Sequence, residues 1–266
     1  MPEGHSIHRY ARLHRKHLRN GEPVTVASPQ GRFADGAAVL DGRTVTDIDA
    51  IGKHLFYQWD GAETLHVHLG LFGKFKTHFG EPPPPTAGTR LTMATDRASI
   101  YLAGPTVCEL IDPDEESAIR ARLGPDPLDK RADGDRFLAN LSRRRIPIGA
   151  ALLDQKVISG IGNVYRSELL FQLGIPPQTP ANQLASSDAT ALWDQAAAEL
   201  RRGEKSGRIV TTDPAEFGAK SDRDLKRRER LYVYKRDGLA CRRCGSSVRL
   251  GESANRKIWW CPDCQR

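Results

Sequence analysis

The spacing of apolar positions changes part-way along the 266-residue chain. Ile7, Ala11, His14 and Leu18 recur at helical spacing and predict a first helix from about Glu3 to Arg19, ended by Asn20-Gly21. Short runs rich in β-branched and aromatic residues then predict strands at Val24–Ser28, Ala37–Leu40, Thr44–Ala50, Leu55–Trp59, Thr64–Leu69, Leu91–Thr95, Ser99–Leu102 and Val107–Ile111. Asp41-Gly42 and Asp60-Gly61 supply turns, and Pro82 to Pro85 exclude an interior strand. After Asp112-Pro113 the period becomes helical, over Glu115–Leu123, Gly134–Leu141, Ile148–Gln155, Val164–Leu173 and Ala189–Arg202. The expected fold class is α+β, with an N-terminal helix and β-sandwich followed by a helical domain and a terminal β-hairpin finger. The expected segments are 1–113, 114–225 and 226–266, with the main boundary at Asp112–Glu116 and Leu123–Pro127 as its alternative.

The finger follows from the cysteines. Cys241, Cys244, Cys261 and Cys264 form two Cys-x-x-Cys pairs separated by sixteen residues, the spacing of a structural zinc site. Two knuckles joined by a hairpin present four sulfurs to one tetrahedral Zn(II). Every histidine lies at or before His78, so one zinc ion with four thiolate ligands is expected. A pair of disulfides and a redox Cys-x-x-Cys are the competing readings; no βαβ pattern of the thioredoxin kind surrounds either pair. The fifth cysteine, Cys108, sits in an apolar run and reads as a small buried residue.

Charge sharpens this picture. From Arg201 to Arg266 there are 18 Lys and Arg against 9 Asp and Glu, whereas the whole chain carries only +7. Basic charge concentrated beside a zinc ribbon suits a polyanion, because each neutralised phosphate releases counterions. A solvated charged face is the bland alternative. No apolar run reaches the length of a membrane span, and the basic start lacks the apolar stretch of a signal peptide. A reducing, cytoplasmic location without membrane contact is expected.

Two further stretches carry chemistry. Residues 148–168 read as a helix, a tight turn holding Gly160 and Gly162, and a second helix from Asn163. Backbone amides at such a helix start can approach a phosphate, and Lys156 and Asn163 flank the turn with a cation and an amide. The chain begins Met1-Pro2-Glu3-Gly4. Removal of Met1 would expose the secondary amine of Pro2, with Glu3 beside it for proton transfer. An α-amino group titrates at about 7.7 to 8.0, and a helix dipole behind it favours the neutral, nucleophilic form. With Met1 retained, that nitrogen is an amide and cannot attack. Met-Pro-Glu is also an ordinary way for a chain to start.

Together, Pro2-Glu3-Gly4, Gly52-Lys53 before Leu55-Phe56, His68-Leu-Gly-Leu-Phe-Gly73, the stretch from Gln155-Lys156 to Asn163-Val-Tyr, and the terminal cysteines resemble the Fpg/Nei DNA glycosylases along the whole chain. The resemblance implies a helix, two-turns, helix motif in the helical domain. It implies a bifunctional glycosylase and AP lyase of base excision repair acting on double-stranded damaged DNA as a monomer. Pro2 would be the nucleophile, Glu3 the proton donor, and Lys53, on a strand of the sandwich, the lysine that contacts phosphate and assists catalysis. Leu71 and Phe72 would be the apolar wedge that fills the gap left by a flipped base. Lys156, Asn163 and Arg256 would hold phosphates. Trp259 and Trp260 read as packing residues of the finger.

Departures from the family pattern point to its Nei branch. Ser6 stands where many bacterial relatives have a second glutamate, whose role would be absent or taken by another group such as Glu168. The stretch Ala103–Cys108 lacks the Arg and Phe that read the opposite base in the Fpg branch, and no purine-recognition loop is evident between Ile209 and Tyr232. Oxidised pyrimidines and abasic sites are the expected substrates. An Fpg-type purine glycosylase and a catalytically inactive damaged-DNA binder are the rival readings.

Overall fold

The computed structural model describes residues 2–61 and 63–266 and separates by internal contacts into two compact units, one ending at Arg122 and one beginning at Leu123. The first unit opens with α1 (Gly4–Leu18), whose residues Ile7, Ala11, His14 and Leu18 form one buried stripe while Arg15, Lys16 and His17 occupy its last turn, where the dipole favours cations. There follow β1 (Thr25–Ala27), α2 (Ala34–Leu40), β2 (Val45–Ile51), β3 (His54–Trp59), β4 (Thr64–His68), β5 (Lys74–His78), β6 (Thr89–Ala94), β7 (Ser99–Ala103), β8 (Val107–Ile111) and α3 (Pro113–Ala121).

The strands form two antiparallel four-stranded sheets, ordered β2-β3-β4-β8 and β1-β6-β7-β5. Leu55, Tyr57, Leu65 and Val67 of the first sheet and Leu91, Met93, Ile100 and Leu102 of the second belong to one buried core with the apolar stripe of α1. Alternation along each strand sends the intervening residues to the opposite face.

Two local expectations are corrected. Residues 37–40 are not a strand but the end of α2, where Ala37 and Leu40 are buried three apart and Val39 is exposed. A four-residue apolar run cannot by itself distinguish the two periods. Conversely, β5 gave no strand signal, because Lys-Phe-Lys-Thr-His buries only Phe75 and takes its place by pairing with β7.

The boundary expected at Asp112–Glu116 marks the start of α3. Asp112 and Glu115 form a reciprocal capping box, with Pro113 at the first helical position. Ile119 packs with Phe56 and Ile111, and Arg120 lies 4.5 Å over the Phe56 ring while pairing with Asp49 at 2.9 Å. The helix thereby covers the outer face of the first sheet, and the division between units falls after it.

The second unit contains α4 (Gly134–Ser142), α5 (Ile148–Ala151), α6 (Asn163–Gln172), α7 (Ser186–Ser206) and the hairpin β9 (Arg249–Ser253) with β10 (Arg256–Trp260). The helix expected over Ile148–Gln155 is a single turn. Beyond it the Asp154 side chain accepts from the Lys156 amide and the Gln155 side chain from the Gly160 amide, which divert the backbone into two turns before α6. Phe137, Leu141, Leu152, Ile161, Tyr165, Leu169 and Leu192 make the helical core, and Ile258 of the hairpin joins it. Phe171 of α6 in turn joins the finger's own cluster with Val233, Val248, Trp259, Cys241 and Cys261. The terminal finger therefore shares its apolar packing with α6. Among the described residues, no helix is long and apolar enough to cross a membrane.

Candidate functional site

In the first unit, strand register gathers the sequence-predicted residues at one end. His54, the first residue of β3, pairs with His68, the last of β4, and His68 pairs with Val107, the first of β8. The turn before β3, the loop after β4 and the loop before β8 consequently emerge together. Lys53 lies in the first of these, a correction to the expectation that it lies on a strand. Gly52-Lys53 is a two-residue turn closed by the Ile51–His54 pair, and Gly52 takes φ +58 at its first central position, where a tight hairpin favours glycine.

The loop after β4 holds Leu71 and Phe72, which are 54 % and 84 % exposed. Its glycines are required. Gly70 has φ +63, and a Cβ there would lie 1.8 Å from Thr106 Oγ1; a Cβ on Gly73 would lie 2.3 Å from the Leu69 carbonyl oxygen. The Gly73 amide donates to that carbonyl at 2.9 Å and the Thr106 amide donates to His68 O at 2.9 Å. Two apolar side chains are thus presented to solvent on a loop pinned at both ends, which no packing requirement explains.

The start of α1 is directed to the same end. Tyr10 lies 5.1 Å from Phe75, His14 meets both Phe75 and Tyr57, His17 lies 5.3 Å from Phe79, and Arg19 pairs with Asp47. Moving along α1 toward its C-terminus therefore runs from the loop end of the sheets to the far end, and the helix start points back to Lys53, Leu71 and Phe72. Glu3 is the N-cap residue and fully buried, and Pro2 just before it is partly exposed. His5 is buried, and burial, with neighbouring positive charge, pushes it down to about 3. Its Nε2 lies 3.0 Å from Ser6 Oγ. Removal of Met1, on which the nucleophile depends, lies outside the described residues.

In the second unit, Lys156 is exposed in the turns before α6, while Asn163 is the first residue of α6 and nearly buried. The Asn163 side chain donates to the Lys257 carbonyl at 2.9 Å, so it binds the finger hairpin as well as facing the helix start. Arg256 opens β10 and is exposed, beside a turn whose two central residues, Ala254 and Asn255, both take φ +54. Positive φ at a residue with a Cβ costs about 1 kcal/mol or more, so the hairpin is held against its local preference.

Two buried charged residues tie α6 to the finger: Arg166, to which sequence reasoning gave no role, holds the hairpin, and Glu168, named from sequence only as a stand-in for the glutamate absent at Ser6, holds the segment that leads into it. Arg166, fully buried, donates to the carbonyls of Gly149 at 2.7 Å, Ser253 at 3.3 Å, Arg256 at 3.2 Å and Lys257 at 3.0 Å. It joins α5, α6 and the hairpin that carries Arg256. Glu168, also fully buried, accepts from the amides of Tyr232 at 2.7 Å, Val233 at 2.8 Å and Tyr234 at 2.7 Å and from Thr211 Oγ1 at 2.5 Å. All four accepting positions of this carboxylate are taken, three by the segment entering the finger and one by Thr211, so it cannot stand in for the glutamate absent at Ser6. The signal available in sequence was a pair of opposite charges two apart in a helix that also carries Val164, Tyr165, Leu169, Leu170 and Phe171.

Cys241, Cys244, Cys261 and Cys264 place their sulfurs within 4.8 Å of one another. Cys241 and Cys264 are 3.8 Å apart and Cys244 and Cys261 are 3.4 Å apart. A disulfide requires about 2.05 Å, whereas four thiolates about 2.3 Å from one zinc are about 3.8 Å from each other. The set can hold a tetrahedral metal ion, and its donors fit zinc. The Ser246 hydroxyl and amide hold the Cys244 thiol down to about 6, favouring the thiolate.

Comparison with known proteins places this arrangement. Residues 1–113 match the formamidopyrimidine-DNA glycosylase N-terminal domain and residues 123–214 its H2TH domain. The chain is 44 % identical to endonuclease 8 1 of Mycobacterium tuberculosis over the whole length of both. The chain belongs to the formamidopyrimidine-DNA glycosylase and endonuclease 8 family. This is a family of DNA glycosylases with AP lyase activity, and the protein is accordingly a DNA glycosylase of base excision repair. A probable endonuclease 8 2 of Streptomyces coelicolor is 34 % identical over all of this chain and 94 % of its own. The Lactococcus lactis Fpg, solved in complex with DNA containing an abasic site, superposes with TM-score 0.81 at 25 % identity, covering 99 % of each chain. The family's sandwich, H2TH domain and cysteine finger are those derived above from register and packing.

Proposed function

We propose that the chain, once Met1 is removed, excises oxidised bases, pyrimidines above purines, from double-stranded DNA and then nicks the strand. It would act as a monomer in the cytoplasm. The Pro2 nitrogen attacks C1′ of the flipped nucleotide, the bond from C1′ to the base breaks, and the base leaves with a proton supplied through Glu3. The C1′–O4′ bond then breaks as O4′ takes up a proton, which opens the sugar ring and leaves the iminium; loss of a C2′ proton from it expels the 3′ phosphate, and a second elimination expels the 5′ phosphate. Leu71 and Phe72 occupy the vacated stack and offset part of the few kcal/mol that extrusion costs. Lys53, Lys156, Asn163 and Arg256 take the backbone phosphates. One zinc ion bound by the four cysteines would fix the hairpin that carries Arg256, and it takes no part in the chemistry.

The observation that carries this reading is the convergence, at one end of the first unit, of the α1 start, the Lys53 turn and an exposed apolar loop. The Nei-like substrate preference is supported by the loop between β7 and β8. It has three residues, Gly104, Pro105 and Thr106, and Thr106 is tied to the Leu71 loop, so no long polar side chain accompanies the wedge to read an opposite base. A lesion panel with borohydride trapping tests the whole reading. Duplexes containing thymine glycol, dihydrothymine or 5-hydroxycytosine should be trapped and cleaved faster than 8-oxoguanine opposite cytosine. The opposite ranking would assign the purine activity, and binding without any covalent adduct by protein lacking Met1 would assign the inactive relative.

A further inference from the structure

The outer face of the first sheet carries a chain of hydrogen-bonded titratable groups beside Lys53 that the reaction above does not use. His54 Nδ1 lies 2.8 Å from His66 Nε2, and His66 Nδ1 lies 2.9 Å from Glu109 Oε1. The register explains the alignment: His66 is directly opposite Glu109, and His54 is two pairs further along toward the Lys53 turn, which returns it to the same face of the sheet. The His54 and His66 rings are nearly parallel, at 13° with centroids 5.1 Å apart, and the Phe56 ring lies 5.1 Å from His66 and 6.3 Å from His54. His66 is buried, whereas Glu109 is half exposed.

The tautomers follow from the acceptor at the far end. An ionised Glu109 can only accept, so His66 carries its proton on Nδ1 and presents a lone pair at Nε2. His54 must then donate from Nδ1, which leaves a lone pair on Nε2. That nitrogen has no hydrogen-bond partner among the described residues. His68, opposite His54, is arranged the other way. Its Nδ1 accepts from the Gly70 amide at 3.2 Å, so its neutral ring points an N–H outward from Nε2.

We propose that His54 is a further ligand for a DNA backbone phosphate beside Lys53, and that it can donate to the phosphate only when the His54, His66 and Glu109 relay takes up one proton from solvent. A phosphate oxygen facing the Nε2 lone pair is repelled. With one added proton, His54 donates from Nε2 and the imidazolium charge is shared with His66 and balanced by Glu109. His68 needs no such change. The groups facing the relay are Lys53 in the preceding turn, His68 on β4, Glu109 on β8, and Glu116, Arg120 and Arg122 from α3 and its end. Burial, then His68, His66, Arg122 and Lys53, push His54 down to about 3, so the free protein holds the relay in its neutral form near pH 7. Bound phosphate removes the penalty from the surrounding cations and raises the proton affinity; binding and proton uptake are therefore linked, and affinity rises as pH falls.

The inference rests on the proposed reading that DNA phosphate is bound at this end, and one experiment separates the two. Binding of a duplex containing a tetrahydrofuran abasic analogue is measured by anisotropy from pH 8 to 5.5 at fixed ionic strength, with calorimetry in buffers of different ionisation enthalpy to count protons. The wild-type protein should gain affinity toward acid, steepening toward about tenfold per pH unit as uptake approaches one proton. H54Q, whose amide donates without a proton, and E109Q, which removes the balancing charge at a half-exposed position, should each flatten the slope. H68Q should lower affinity at every pH and keep the slope. Binding without proton uptake by the wild type, or an unchanged slope in H54Q, overturns the relay alone; no binding at any pH overturns the phosphate reading with it.

Discussion

The two units solve the same problem, holding polar chemistry on a small scaffold, by opposite means. The first contains all eight histidines and no metal-ligating cluster among its described residues; burial pushes His5, His14 and His54 down to about 3 and lowers His66 and His68. The second contains no histidine, four clustered cysteines, and a basic C-terminal third organised around buried Arg166 and Glu168. The sandwich buries its histidines in a neutral form, at the risk of acid sensitivity. The finger combines a small apolar cluster with four cysteines that can hold a metal ion and with the buried tethers Arg166 and Glu168.

The largest expected effect is on metal removal. Structural zinc in small finger domains contributes about 10 to 16 kcal/mol. Chelation, or Cys261→Ser, should release residues 232–266 to proteolysis and abolish binding to lesion duplex, while amides of the first unit stay protected in hydrogen exchange. Loss of protection in the sandwich under the same treatment would break the contrast between units.

Acid should act on the other unit. His14 is buried against Tyr57, with its ordinary value near 6.5 in the unfolded chain and about 3 in the fold. Between those values the unfolded chain binds a proton that the fold refuses, so stability is full above pH 6.5 and falls as pH drops toward 3, by up to about 1.4 kcal/mol per pH unit for each such histidine. Urea titrations followed by hydrogen exchange should show the sandwich weakening first as pH falls from 7 to 5. A zinc-loaded finger that loosens at higher pH than the sandwich would contradict this.

A smaller effect separates tether from site. Glu168→Ala leaves three backbone amides without an acceptor, a loss of about 3 kcal/mol. It should lower the unfolding midpoint of the second unit without changing trapping by molecules that remain folded. Smallest for stability is Phe72→Ala. Removing an 84 % exposed side chain should shift unfolding by less than about 0.5 kcal/mol, yet weaken lesion-duplex binding about tenfold through loss of the wedge.

What could be read from sequence was whatever is local. The periodicity of α1, the strands around Leu55 and Val67, and the paired cysteines each carry their signal within a few residues. Strand β5 was missed because only Phe75 faces the core, and α2 was misread because Ala37 to Leu40 is too short to show a period. Lys53 was placed on a strand through the family resemblance, although the strand runs Thr44–Ala50 and Leu55–Trp59 already left it in the gap between them. The convergence of Lys53 with the Leu71 loop, the relay from His54 to Glu109, and the ties of Arg166 and Glu168 are set by register and by contacts up to 91 residues apart in sequence, which no local pattern encodes.

The most direct test of the central claim locates the covalent bond. Protein lacking Met1 is reacted with a duplex containing an abasic site under borohydride, digested, and mapped by mass spectrometry. The account predicts the reduced sugar adduct on the N-terminal peptide at the Pro2 nitrogen, and none from protein that retains Met1. An adduct on Lys53, or efficient trapping with Met1 in place, would contradict it.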